Sequence, residues 1–435
     1  MADAERERRE HLTEVGRLAA VGVVGQLLTF TVTLLLARLL DAEAFEAYVV
    51  AAAFYLLLLA IAAQGLDKYA LRLMPGKFDR GQWQLAADLF RFGVCRILGG
   101  ALIVGALAAI WAREVREFPA DTLHAVYLCC LFVPVAVLVN FLAAVLSATG
   151  ECVRAAVATL LLVPLVALVL VALVVFLPLA LTGVTAIVCW GGGWLAALVA
   201  LGYWVHRTWT GSRRGCESTA QRPGWRRASL PFWLYRLGMG VVAQVAVLML
   251  DWLQPSPAAT GAYAAALSMA SVAAILAVAT NRVYARELSV LMEYGDYRAV
   301  NRYRRVRLLW LVPTLGLFLA MVFLFTNPLM ELFRPEFAEE GGTAFRLLSV
   351  TIATTVLLGV APTYFKYRGH NLLTFGTLAA CALLQVVLLW LLVPRLEATG
   401  AAIAYMVSML LMYGSLALLA VHQLAELRRG NPGQG

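Results

Sequence analysis

Residues 153–178 read VRAAVATLLLVPLVALVLVALVVFLP, and Arg154 is their single charged side chain. A helix rises about 1.5 Å per residue, so about 20 apolar residues cross a hydrocarbon core roughly 30 Å thick. This stretch is long enough. It is rich in Leu, Val and Ala, and it lacks the period-2 alternation of a barrel strand. It reads as a transmembrane helix. Comparable stretches lie at 15–40, 44–66, 85–111, 123–149 and 183–206 on one side of a polar segment, 207–228. Six more follow it at 229–253, 258–282, 308–330, 343–365, 371–394 and 399–423. Pro134, Pro164, Pro313 and Pro362 fall inside these stretches. Membrane helices tolerate such breaks where neighbours satisfy the freed backbone groups.

Composition agrees with this reading. Of 435 residues, 62% are hydrophobic and 14% charged, against about 45–50% and 25% in soluble domains. A soluble enzyme, a disordered chain and a small disulfide scaffold are excluded. The connections are too short for a separate soluble domain, so the function lies within the membrane. The expected fold is an all-α polytopic membrane protein of 12 transmembrane helices. Its expected parts are a six-helix lobe (1–206), a cytoplasmic linker (207–228), a second six-helix lobe (229–425) and a flexible tail (426–435).

Lys and Arg number 35 against 26 Asp and Glu, a net charge of +9. With the N-terminus placed in the cytoplasm, 26 of the 35 basic residues fall on that side. Six fall opposite: Arg38, Arg113, Arg116, Arg334, Arg346 and Arg395. Arg91, Arg96 and Arg236 lie inside the stretches. This positive-inside bias places both termini in the cytoplasm and the chain in the plasma (inner) membrane. The surplus sits in short loops and not on one exposed face, so nucleic acid is not an expected partner. The outer loops are acidic, with Asp41, Glu43, Glu46, Glu114, Glu117, Asp121, Glu331, Glu336, Glu339 and Glu340. The seven cysteines have no metal-site spacing and suggest no extracellular disulfide framework. The first apolar stretch is too long for a signal-peptide core and reads as a retained span.

The halves resemble each other in register. GVVGQ at 22–26 matches GVVAQ at 240–244, and Arg17-Leu18 matches Arg236-Leu237. Gly150, Pro178 and Thr182-Gly183 match Gly369, Pro394 and Thr399-Gly400. Each half has an even number of spans, so the repeat is parallel, about an axis along the membrane normal. In transporters built this way the substrate sits between the halves.

Charge inside the hydrocarbon is costly and marks a candidate site. Arg17 and Arg236 sit near the cytoplasmic ends of the first helices of the two halves. Together they would form a cationic clamp, and a planar guanidinium suits a phosphate. Snorkelling to headgroups, or a Glu14–Arg17 pair, is the competing account. Gln26 and Gln244 lie deeper on the same helices, as ligands or as interhelical glue. Arg72 and Arg282 close the second and eighth spans. Asp251, at the outer end of the seventh, is a gate or ion ligand or an interfacial acid. Arg91 and Arg96 read as structural, with Asp88 able to pair with Arg91. Arg305 and Arg307 look interfacial. No acid stands clearly at mid-bilayer, so no coupling ion is visible. No catalytic set, metal site or cofactor motif is present. The Gly191-Gly192-Gly193 run is read as a close-packing site.

Five segments carry a family resemblance: LARLLDAEAFEAYVVAAAF at 36–54, DWLQPSPAATGAYAAA at 251–266, ARELSVLMEYGDYRAVNRYRRVRLL at 285–309, ELFRPEFAEEGGTAFRLL at 331–348, and YRGHNLL at 367–373 with LVPRLEATGAAIAY at 392–405. Asp41, Glu46 and Arg334 stand where glycine is usual. The chain resembles the polysaccharide transporter family, related to O-antigen flippases. That family lies within the superfamily that also holds multidrug and toxic compound extruders and the lipid II flippase. The resemblance implies two six-helix lobes forming a V around a central cavity. It implies a polyprenyl-pyrophosphate-linked oligosaccharide or polysaccharide precursor as substrate, moved from the inner to the outer leaflet. It also implies cavity cations, for which Arg17, Arg72, Arg236 and Arg282 are the matching positions. Lipid-linked glycan and membrane lipids are the expected partners of a functional monomer, with polysaccharide synthesis or polymerisation proteins as possible associates. An ion-coupled antiporter of drugs or metabolites, a major-facilitator carrier and a transport-inactive scaffold are the alternatives. Interior arginines in place of buried carboxylates favour an anionic substrate over a cationic drug.

Overall fold

The computed structural model describes residues 2–79, 82–116, 118–178, 180–210, 224–253, 257–275, 297–359, 361, 365 and 371–430. Among these the regular structure is entirely helical. The chain forms two compact units, Met1–Leu248 and Met249–Gly435. Among the described residues, ten helices are long and apolar enough to cross a membrane by length and composition. They account for each expected stretch except 258–282, which runs past the described residues.

The first unit comprises α1 (Ala2–Leu39), α2 (Ala42–Ala62), α3 (Leu66–Asp79), α4 (Trp83–Glu114) and α5 (Ala120–Ala148). Then come α6 (Cys152–Ala156), a π-helical turn (Val157–Leu162), α7 (Val163–Phe176), α8 (Gly183–Thr210) and most of α9 (Trp225–Leu253). The boundary between units falls inside α9 because its N-terminal half packs on the α2–α3 joint.

One helix, α4, is built inside out relative to those of a soluble bundle. On α4 the buried stripe is Gly93, Ile97, Ala101, Gly105, Ala108 and Ala112. Its large residues face outward: Leu102, Ile103, Leu107 and Ile110 are each at least 60% exposed. Small side chains let backbones approach where lipid supplies no hydrophobic drive, and the large apolar ones meet acyl chains. Gly193 on α8 shows the same economy. A β-carbon there would lie 2.4 Å from the Val163 carbonyl oxygen. The π turn directly precedes Pro164, whose missing N–H interrupts the helical ladder.

Asp41 caps α2. Its backbone is extended (φ −69°, ψ 176°) and its carboxylate accepts the Ala44 N–H at 2.7 Å. Asp41→Ala is expected to cost about 1 kcal/mol, and Asp41→Ser much less. Thermal unfolding of the purified variants would measure both.

The second unit contains the end of α9, α10 (Pro257–Ala270) with a 3₁₀ turn (Ser271–Ala273), and α11 (Tyr297–Leu324). A short α12 (Thr326–Glu331), α13 (Pro335–Leu358) and the long segment α14 (Asn371–Gly430) complete it. The last is two helices that meet at Glu397 (φ 47°, ψ −126°), three residues after Pro394. The core gathers Tyr263, Phe333, Phe337 and Phe345, all at most 1% exposed. Arg307 belongs with them: it is 2% exposed, and its Nη2 donates to the Val356 carbonyl at 3.0 Å. Its burial within the protein is compatible with the interfacial depth expected for it, at the start of the span Arg305–Leu324. The arginine ties α11 to the C-terminal turn of α13.

Candidate functional site

The joint between α2 and α3 shapes the site. Gln64 (φ 48°) and Gly65 (φ 67°) both take left-handed backbone, which ends one helix and re-aims the next. At Gly65 a β-carbon would lie 2.4 Å from the Trp233 backbone nitrogen and 2.7 Å from the Ser229 carbonyl oxygen. The bare backbone therefore admits α9. The Trp233 indole N–H then donates to the Ile61 carbonyl at 2.9 Å, one of the acceptors freed at the end of α2. Trp233→Phe removes that donor and keeps most of the ring. It is expected to cost about 0.6–1 kcal/mol, read as a lower melting temperature.

Arg236 follows Trp233 by three residues, on the same face of α9. Its Nη1 donates to Oδ2 of Asp67 in the first turn of α3. The arginine side chain is 22% exposed and the aspartate 7%. The other carboxylate oxygen of Asp67 is buried without a hydrogen-bond partner. Further along α3, the exposed Arg72 lies over the Phe232 ring, its guanidinium carbon 6.0 Å from the centroid. Tyr69 meets the same ring at 6.4 Å. One cation of α3 thus lies over an aromatic ring of α9, and one cation of α9 carries an internal counter-ion from α3.

Asp67 went unread in the sequence, where it counted as the first residue of a cytoplasmic loop. The available signal was a lone acid directly after Gln64-Gly65 at the end of a long apolar run. Of the expected site residues, Arg236 pairs with Asp67 at this joint and Arg72 lies over the Phe232 ring from further along α3. Arg17 is exposed on α1, and Gln26 is half-buried nine residues further along it. Gln244 is half-buried two turns beyond Arg236 on the same face of α9. Asp251 is half-buried and lies in the second unit. Arg282 lies outside the described residues. No group of three or more His, Cys, Asp or Glu able to hold a metal occurs among the described residues.

A second feature of the first unit is an uncharged cavity of about 290 Å³. Tyr48, Tyr55, Cys129, Phe132, Trp190 and Trp194 line it, with Thr29 and Thr33 from α1. Both threonine hydroxyls are spent on backbone carbonyls one turn back, Gly25 and Thr29. The cavity therefore offers apolar and aromatic surface and no carboxylate for a cation.

Comparison with known proteins now places the chain. The family model described as polysaccharide biosynthesis protein matches residues 12–284, well over half of the 435. The chain belongs to the polysaccharide biosynthesis protein family. No curated protein sequence is significantly similar to it. Solved structures are far more informative about the fold. An inward-facing multidrug resistance MATE transporter of the MOP superfamily superposes with a TM-score of 0.74 at 13% identity, covering 93% of this chain and 96% of that one. A MOP superfamily transporter from Pyrococcus furiosus, whose binding pocket is described as having reverse polarity, gives 0.67 at 15% identity over 95% and 96%. The lipid II flippase MurJ in an inward closed conformation gives 0.64 at 11% identity over 94% and 89%. The family member described here is thus a multi-pass membrane protein with the fold of transporters and flippases.

Proposed function

We propose that the protein is a flippase moving a polyprenyl-pyrophosphate-linked oligosaccharide or polysaccharide precursor from the inner to the outer leaflet by alternating access. The observation that carries this reading is Arg236, a half-buried guanidinium held by Asp67 at the joint between α2 and α3. A diphosphate offers more acceptor oxygens than one carboxylate, and it competes for the same fork of N–H donors. Arg72, exposed beside the same ring, supplies a second charge. Arg17 with Gln26 on α1, Gln244 on α9 and Arg282 complete the proposed headgroup site, and Asp251 is the proposed gate or ion ligand. The basic side faces the cytoplasm in the plasma (inner) membrane, with both termini inside, so the field draws an anionic headgroup inward-side first. The acidic opposite loops favour release. The prenyl tail stays in lipid. The protein works as a monomer beside the enzymes of polymer synthesis.

The family match and the likeness in fold to a lipid II flippase support this reading. An ion-coupled antiporter of drugs or metabolites shares the fold, and Asp67 would be its cation ligand. Reconstitution separates the two. Liposomes containing the full chain and a fluorescent polyprenyl-pyrophosphate oligosaccharide should expose the inner-leaflet glycan to an external glycosidase. Equal exposure in protein-free liposomes, or cation-driven efflux of a lipophilic dye in place of glycan exposure, would overturn the flippase reading.

A further inference from the structure

The N-terminal half of α4 and the start of α9 enclose a cleft of about 930 Å³ whose lining includes neither Arg236 nor Asp67. Arg91 and Arg96 line it from α4, and Arg226 and Arg227 from the first turn of α9. All four are exposed, and none is ion-paired among the described residues. Asp88 lines the same cleft but forms no ion pair with Arg91, so three positive charges stand in excess. Two arginines in the first turn of a helix also oppose its macrodipole, which favours an anion at that end. This arrangement is unfavourable for the chain alone and favourable around a bound anion. Trp225 is an independent sign. It is 5% exposed, meets the Phe92 ring at 5.2 Å with the planes tilted by 59°, and lines the cleft. Its indole N–H is buried without an acceptor. Buried donors in folded proteins nearly always have a partner.

We propose that this cleft is a second anion site, built to take a phosphate group with Arg91, Arg96, Arg226 and Arg227 around it and the Trp225 N–H as a directed donor. Guanidinium forks bind phosphate oxygens in pairs, and an indole N–H fills a remaining acceptor position. The phosphate arrives either on the headgroup of an anionic phospholipid or on a soluble diphosphate. The site is independent of the translocation reading, because it rests on residues outside the proposed headgroup site.

The test uses the full chain in phosphatidylcholine nanodiscs, with and without phosphatidylglycerol, and with inorganic pyrophosphate added to the first set. Hydrogen exchange is followed at residues 88–96 and 224–228. Slower exchange with phosphatidylglycerol alone assigns the site to a lipid headgroup, and slower exchange with pyrophosphate assigns it to a soluble one. Arg91→Gln/Arg96→Gln should weaken the effective ligand at least roughly tenfold, and Arg113→Gln/Arg116→Gln should not. Unchanged exchange in the wild-type chain with both probes overturns the proposal without recourse to any variant. So does equal weakening by the two double substitutions.

Discussion

Asp67→Asn is expected to destabilise the protein by about 3 kcal/mol. The substitution keeps the shape of the side chain and removes its charge, so Arg236 is left as a half-buried cation with a neutral partner. Breaking one half of a buried ion pair costs about 3–5 kcal/mol, because the remaining charge stays desolvated. Arg236 retains 22% exposure and can reach some water, which puts the cost at the lower end of that range. Asp67 already holds one buried oxygen without a partner, so the pair itself contributes little net stability. The double variant Asp67→Asn/Arg236→Gln should therefore recover most of the loss. Thermal unfolding in one detergent, arranged as a double-mutant cycle, measures this. Additive losses would mean that the two side chains do not depend on each other, and that the joint is held by Gly65 and Trp233 alone.

The cycle matters because the pairing was invisible in the linear sequence, while the frame around it was not. Length and hydropathy placed the helices, since the bilayer demands about 20 apolar residues and satisfied backbone groups. Residues 153–178 and 371–423 show how far that reaches. The first stretch holds a π turn before Pro164, and the second bends at Glu397; both breaks sit within three residues of a proline that the sequence displays. Gly193 likewise packs as its position in an apolar run suggests. Charge partnership is different, because it depends on which helices touch. Asp67 and Arg236 are 169 residues apart, and their meeting requires the left-handed turn at Gln64-Gly65 and a bare Gly65 backbone. Hydropathy carries no trace of either. The acceptor of Arg307, the Val356 carbonyl, was unreadable for the same reason: it comes from another helix. The alternation of basic-rich and basic-poor connections along the chain was legible in the sequence. The gathering of Arg91, Arg96, Arg226 and Arg227 around one cleft was not.

Translocation should fall by roughly 100-fold or more in Arg17→Gln/Arg236→Gln. Each hydrogen bond to a charged group contributes about 1.5–3 kcal/mol, and 1.4 kcal/mol is a factor of ten, so losing one charged contact in each half reaches this size. Arg236 has a second duty, to Asp67, and a fall in rate could come from a disturbed joint instead of a lost headgroup contact. Asp67→Asn/Arg236→Gln separates the duties. It removes the pair in balance and leaves the joint near its original stability. If Arg236 meets the diphosphate, this balanced variant still loses transport, and Arg17→Gln lowers the rate further. If Arg236 serves the joint alone, the balanced variant transports as the wild type does. Arg113→Gln/Arg116→Gln controls for net charge, because Arg113 and Arg116 are counted on the side with few basic residues. The assay is glycan exposure in the reconstituted liposomes, corrected for the amount of folded protein. Equal losses in the control and in Arg17→Gln/Arg236→Gln would show that bulk charge, and not these two guanidinium groups, governs the rate. Normal transport by the Arg17 and Arg236 variants alike would remove both residues from the site.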